Sequence, residues 1–336
     1  MLEAIVQFTI AAAVVIGAGS VLARMADRIA DLTGLGRLLI GTVLLAGATS
    51  LPELGVDISA VRAGLDDLAV GDLLGSSLFN LLILAIADLL HARRGVLFTR
   101  VSQAHALSGM LSIMLTAIVA MMLVLRPGDA MTFGGVGAGS VIVAITYILG
   151  VRMVYRDQRL AKMGAEVVES VDAAGPSHRR QLWRAIAMFG GAAAVIFIAA
   201  PFVARAAGVI ADESGLGGTF IGTTLVAAST SLPELVATIA AVRMGAFDLA
   251  VGNIFGSNTF NMAMLLPIDL ASNGPLLSTA SRTHAATAIW VVVITSVTIM
   301  GLLYHEEKRR RFIEPDAFAV IGLVLLALAT VYLAGS

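Results

Sequence analysis

The chain has 336 residues, 58% of them hydrophobic and 13% charged, with a formal net charge of −1. So little polar surface excludes a soluble domain of this size, and the near-zero charge offers nothing to nucleic acid. The lack of any cysteine excludes disulfides, thiolate metal sites and thiol catalysis.

A spanning helix needs roughly 20 mainly apolar residues. Ten such runs occur, at about 4–23, 38–62, 67–90, 104–126, 131–153, 184–207, 218–243, 248–271, 284–304 and 315–334. They are continuous rather than alternating, which excludes a transmembrane β-barrel. The first follows "MLEAIVQF", which lacks the basic region and small-residue cleavage site of a signal peptide, so it counts as a span. The methionines of the fourth run read as core filler. "GGVGAGS" (134–140) in the fifth reads as close helix packing, and it has no lysine to make a phosphate loop. Tyr155, Trp183 and Tyr304 lie near run ends, where amphipathic rings belong.

Charge orients the runs. The loops after odd-numbered runs hold Arg24, Arg28, Arg37, Arg93, Arg94, Arg100, Arg152, Arg156, Arg159, Lys162, Arg179, Arg180, Arg184, Arg243, Lys308, Arg309, Arg310 and Arg311. The other side keeps Arg62, Arg126, Arg205 and Arg282. By the positive-inside rule the odd loops are cytoplasmic and both termini lie outside the cytoplasm. "EEKRRR" (306–311) reads as a cytoplasmic anchor, and the charged stretch 154–183, with Gly175-Pro176, as a cytoplasmic linker loop.

The chain repeats itself at an offset of 181 residues. "GLGRLLIGTVLLAGATSLPELGVDISAVRAGLDDLAVGDLLGSSLFN" (34–80) falls on "GLGGTFIGTTLVAASTSLPELVATIAAVRMGAFDLAVGNIFGSNTFN" (215–261), with more than half the positions identical. "SQAHA" (102–106) is echoed by "SRTHA" (281–285). Five runs per half is an odd number, so the second half enters the membrane from the opposite side, as in inverted-repeat transporters. The expected fold is an all-α membrane protein of ten transmembrane helices. It divides into a first five-helix repeat (1–153), the linker (154–183) and a second repeat (184–336), with helices 2 and 7 broken.

The second and seventh runs carry a proline followed by a glutamate at mid-depth, Pro52-Glu53 and Pro233-Glu234. Proline has no N–H, so it frees the carbonyl four residues earlier, Ala48 or Ser229, and loosens its neighbours. A free carbonyl is costly in hydrocarbon unless it is packed in protein or lines a hydrated cavity. An intramembrane carboxylate marks a functional site. Thr49 and Ser50, like Thr230 and Ser231, precede the glutamates by four and three residues and share their helix face. The next run of each half adds Ser76 and Asn80, or Ser257 and Asn261, one turn apart. The resulting donor set is all oxygen, which suits a hard cation, and two glutamates match the charge of one calcium or two sodium ions.

"GATSLPEL" and "ASTSLPEL", each followed by "G(D/N)xxGSxxFN", closely resemble the two α-repeats of the sodium/calcium exchanger family, within the cation/calcium exchanger superfamily. The resemblance covers nearly the whole chain. It implies that Glu53 and Glu234 are the central ligands for calcium and sodium. Thr49, Ser50, Ser76, Thr230, Ser231 and Ser257 would add oxygens, Ala46 and Ala227 backbone carbonyls, and Asn80 and Asn261 would fill the polar positions of helices 3 and 8. Helices 1 and 6 would slide across the bundle, their "GAGS" (17–20) and "GGAAA" (190–194) allowing close contact. The halves differ where Asp57, Asp72 and Ser77 face Thr238, Asn253 and Asn258, which makes Asp57 and Asp72 additional candidates as ion ligands.

The expected function is a sodium/calcium antiporter of a cell inner or plasma-type membrane, needing no cofactor and no obligate protein partner. The alternatives are calcium/proton exchange on the same scaffold and a passive cation channel. Nothing resembles a nucleophile–base pair, so an enzyme is a poor reading. Asp88 and Asp269 are expected as caps or interfacial groups, and His105 and His284 as interfacial structure, with His91, His178 and His305 solvated in loops.

Overall fold

The computed structural model describes residues 1–91, 104–126, 132–133, 135–165, 176–213, 228–303 and 315–335. Ala227, Tyr304, His305 and the 306–311 anchor lie outside the described residues, as does the His91 side chain.

The described chain is helical. α1 is Leu2–Thr33, α2 Arg37–Arg62, α3 Asp66–His91, α4 Ala104–Leu125, α5 Ala138–Ala165 and α6 Pro176–Glu213. α7 is Leu232–Arg243, α8 Phe247–Ala271, α9 His284–Leu303 and α10 Pro315–Gly335, with a single helical turn at Leu276–Thr279. Seven of these, α1 to α6 and α9, are long and apolar enough to cross a membrane. Of the three other expected runs, α7 has 12 residues and follows the segment 214–227 that lies outside the described residues. α8 has 25 residues but buries Asn253, Ser257, Asn258, Thr259 and Asn261. α10 is a 21-residue apolar helix.

Four expectations are corrected. The stretch 154–183 is no simple loop, because α5 runs on to Ala165 and α6 starts at Pro176. "GGVGAGS" is not all helix. Thr132–Phe133 (β1) pairs antiparallel with Val136–Gly137 (β2), the turn using Gly135 at φ 89°, a conformation that disfavours any side chain. Methionines 110, 114 and 121 of α4 are exposed on the outer face of the bundle, where a hydrocarbon surround accepts them, and only Met122 of that helix is buried. Helix 2 is not broken at Pro52: α-helix continues from Ala46 to Arg62 through the proline, and the irregularity is a π-helical segment, Ile40–Leu45, just before it. In the second copy the interruption is a turn at Ser231 before Pro233.

α8 is the centre of the bundle, packed by α2, α3, α4, α5 and α7. Its glycines let the π segment press onto it backbone to backbone. A Cβ on Gly256 would lie 2.4 Å from the Thr42 carbonyl oxygen, and one on Gly252 2.8 Å from that of Leu38. Both copies turn from their glutamate-bearing helix into the next in the same way. Gly64 (φ 77°) sends its N–H to Val61 and Leu65 to Ala60, while Gly245 (φ 76°) sends its N–H to Val242 and Ala246 to Ala241.

α1 and α6 lie antiparallel along the flank. The N-terminal ammonium meets Glu213 at one end, and at the other Arg28 donates to Gln181 (2.7 Å) and the His178 ring bonds the Leu32 carbonyl (2.9 Å). The small residues expected to give these two helices close contact with the rest of the bundle do so only in part. Gly17, Gly190 and Gly191 face open space, whereas Gly19 packs against Val236 of α7.

Candidate functional site

The polar faces of α2, α3, α7 and α8 converge inside the bundle. Thr49, Ser50, Glu53, Ser76, Asn80, Thr230, Ser231, Glu234, Ser257 and Asn261 are all buried, none more than 2% exposed. The i, i+4 spacing puts each set on one stripe of its helix, and the Gly64 and Gly245 turns fold the stripes of successive helices against each other.

The two glutamates belong to one hydrogen-bonded cluster. Ser50 Oγ, on the Glu53 helix, donates to Glu234 Oε1 at 2.9 Å. Ser76 Oγ donates to Glu53 Oε1 at 2.7 Å and accepts from Ser231 Oγ at 3.2 Å. Each bond but that from Ser76 to Glu53 joins the first half to the second. The carboxylates are close enough to feel each other's charge. Thr49 Oγ1 bonds back to the carbonyls of Leu45 (3.2 Å) and Ala46 (3.1 Å), so the Ala46 carbonyl faces this cluster through Thr49.

A second layer lies alongside. Asn80 Nδ2 donates to Asn258 Oδ1 (3.0 Å), and Asn258 Nδ2 to the Ser77 carbonyl (3.3 Å). Asn253 Nδ2 donates to Thr238 Oγ1 (3.1 Å). The pairing of Ser77, Asn80 and Asn258 was not foreseen; its signal was the substitution of Ser77 by Asn258 between the repeats.

What the cluster leaves unmet defines its chemistry. Among the described residues, Glu53 Oε2, Glu234 Oε2, Asn80 Oδ1, Ser257 Oγ and both polar atoms of the Asn261 amide are buried with no hydrogen-bond partner. None of the ion pairs among the described residues involves either glutamate. A buried carboxylate without a counter-charge is costly, and a cation reaching its free oxygens removes that cost. No three acidic, histidine or cysteine side chains among the described residues converge to hold a metal ion by themselves. A bound ion would therefore draw on hydroxyls, amides, carbonyls or water beside the two carboxylates, a mixture that calcium and sodium accept.

Other acids behave differently. Asp269 accepts from Ser140 Oγ (2.5 Å), Gly137 N (3.1 Å) and Leu276 N (3.0 Å), which makes it a structural cap. His105 bonds Asp248 (2.8 Å) and His284 bonds Asp67 (3.1 Å), each contact joining a histidine of one half to an aspartate of the other. A stripe on α4, Ser108, Ser112 and Thr116, is fully buried with its hydroxyls unpartnered among the described residues. Its four-residue spacing is visible in the sequence.

The chain matches the family described as sodium/calcium exchanger protein over residues 3–156 and 184–336. It is 32% identical to the inner membrane protein YrbG of Escherichia coli K12 over 237 residues, 69% of each chain. It is 26% identical to the putative antiporter CaxA of Alkalimonas amylolytica over 286 residues, 85% of each. A solved structure of the sodium-calcium exchanger NCX_Mj superposes with a TM-score of 0.73 at 19% identity, covering 98% of this chain and 99% of that one.

Proposed function

The chain belongs to the sodium/calcium exchanger family and is a multi-pass integral membrane protein, and from that premise we propose that it is a secondary antiporter that exchanges sodium for calcium. Calcium or sodium binds alternately between Glu53 and Glu234, with Thr49, Ser50, Ser76, Thr230, Ser231, Ser257, Asn80 and Asn261 and the carbonyls of Ala46 and Ala227 completing the shell. Ten spanning helices form two inverted five-helix repeats, both termini lying outside the cytoplasm. Movement of α1 and α6 against the rest opens the shell to one side and then the other. The likeness to an inner membrane protein supports a cytoplasmic-membrane location.

The observation that carries this reading is the chain of bonds Ser50–Glu234 and Ser231–Ser76–Glu53, which holds two buried acids from the two halves in one cluster while leaving an oxygen of each open. Two carboxylates carry enough charge for one calcium or two sodium ions, never both loads at once, which is the condition for exchange rather than co-transport.

Proteoliposomes loaded with sodium and diluted into sodium-free medium containing calcium should take calcium up. Glu53→Gln and Glu234→Gln should each reduce uptake to that of protein-free vesicles; unchanged uptake removes the site assignment. A pH gradient imposed without sodium should drive no calcium flux. Flux under that condition would make the proton the coupling ion, and flux without any counter-ion would make the protein a channel.

A further inference from the structure

The Asn253–Thr238 hydrogen bond has a repeat counterpart of different chemistry. Removing the 181-residue offset turns Thr238 into Asp57 and Asn253 into Asp72. A neutral donor–acceptor contact in one half thus corresponds to a pair of acids in the other. The two acids lie close enough to repel. Asp57 is 0% exposed, and among the described residues neither of its carboxylate oxygens has a hydrogen-bond partner. Asp72 receives the Thr230 hydroxyl, and its Oδ2 is buried without a partner. No arginine, lysine or histidine among the described residues forms an ion pair with either.

Carboxylates so placed cannot bond each other as Asn253 and Thr238 do. A fully buried acid with both oxygens open is costly to keep charged, and a cation that reaches those oxygens removes the cost. Asp57 lies one helical turn beyond Glu53, and Asp72 one turn before Ser76, so both are displaced from the glutamate cluster toward the Gly64 turn. With Glu53 and Glu234 they make four carboxylates inside the bundle, three buried and Asp72 half-buried, the charge of two divalent ions.

We propose that Asp57 and Asp72 form a second cation site, one helical turn from the glutamate site toward the α2–α3 turn, which takes a hard divalent cation such as calcium through carboxylate oxygens and has no equivalent in the second half. The inference rests on the exchanger reading for its direction. With the charge-derived orientation, the site lies on the non-cytoplasmic side and receives calcium arriving from there.

Equilibrium dialysis of radioactive calcium against the purified full chain in detergent tests it. The unsubstituted chain should bind two ions. Asp57→Thr with Asp72→Asn, which writes the second half's own pair into the first, should bind one. Glu53→Gln with Glu234→Gln should also bind one, at the remaining site. Unchanged stoichiometry in the aspartate variant overturns this proposal and leaves the glutamate site standing. Unchanged stoichiometry in the glutamate variant overturns the glutamate site instead. If the aspartate variant does not fold, isosteric Asp57→Asn carries the test: about a tenfold loss of affinity at one of two sites supports the proposal, and two unaltered sites overturn it.

Discussion

Buried acids of this chain sort by whether their oxygens are filled. Asp269 has three donors on its two oxygens and ties β2, the start of α5 and the Leu276 turn to the end of α8. Nothing there calls for an ion. Glu53 and Glu234 each keep an oxygen open beside a serine donor. The sequence shows Asp88 and Asp269 as repeat-related acids just as it shows Glu53 and Glu234, so repetition alone does not separate a cap from a ligand; the donors do. Asp269→Ala should therefore cost about 3 kcal/mol of stability, read as a lower unfolding midpoint, because three donors lose a charged acceptor. Calcium stoichiometry in the same protein should not change. Ser76→Ala should do the reverse. It removes one hydrogen bond to Glu53 and the acceptor of Ser231, a loss of about 1 kcal/mol in stability, while calcium affinity in a binding isotherm falls.

Among the elements, the junction of α2 with α8 matters most. The π-helical segment Ile40–Leu45 bonds each N–H one residue further back than α-helix does and so resets which side chains of α2 face α8. Thr42 lies in it, and Ala46 and Thr49 follow directly. Glycines at 41, 252 and 256 admit this approach, with Gly256 the tightest. Gly256→Ala would set its methyl against backbone, which cannot swing aside as a side chain can. The expected result is a loss of about 1–3 kcal/mol in unfolding measurements together with weakened calcium binding, as α2 is pushed off α8. Gly190→Ala on the exposed face of α6 is the matched control, and its unfolding midpoint should not drop. Periodicity and the Ser-Leu-Pro-Glu repeat made the stripes of α2, α3, α7 and α8 legible beforehand. The π segment was not, because one glycine among Ile-Thr-Val-Leu-Leu does not by itself signal i→i+5 bonding, which comes with the close tertiary contact to α8. Nor did Pro52 behave as its chemistry suggested. The helix absorbs the lost bond and continues, and the disturbance lies upstream.

Over the whole molecule the halves are interlocked rather than juxtaposed. His105 reaches Asp248 and His284 reaches Asp67, so each half reads the other at the start of its third or eighth helix. Aspartates 67 and 248 are repeat equivalents, and the proposed opposite insertion of the two halves would put these contacts on opposite faces of the membrane. The charge distribution supplies the absolute direction that contacts alone do not. By the positive-inside rule, eighteen basic residues against four predict the segment between α5 and α6 in the cytoplasm and the N-terminus on the other side. A chain without cysteine makes this assignment directly measurable. Leu2→Cys should react with a membrane-impermeant maleimide on intact cells or right-side-out vesicles. Ala173→Cys should react only after permeabilisation. The opposite pattern would reverse the orientation and carry the Asp57–Asp72 site to the cytoplasmic face. It would leave the glutamate cluster's own bonds unaffected, because they are made inside the bundle whichever way it is inserted.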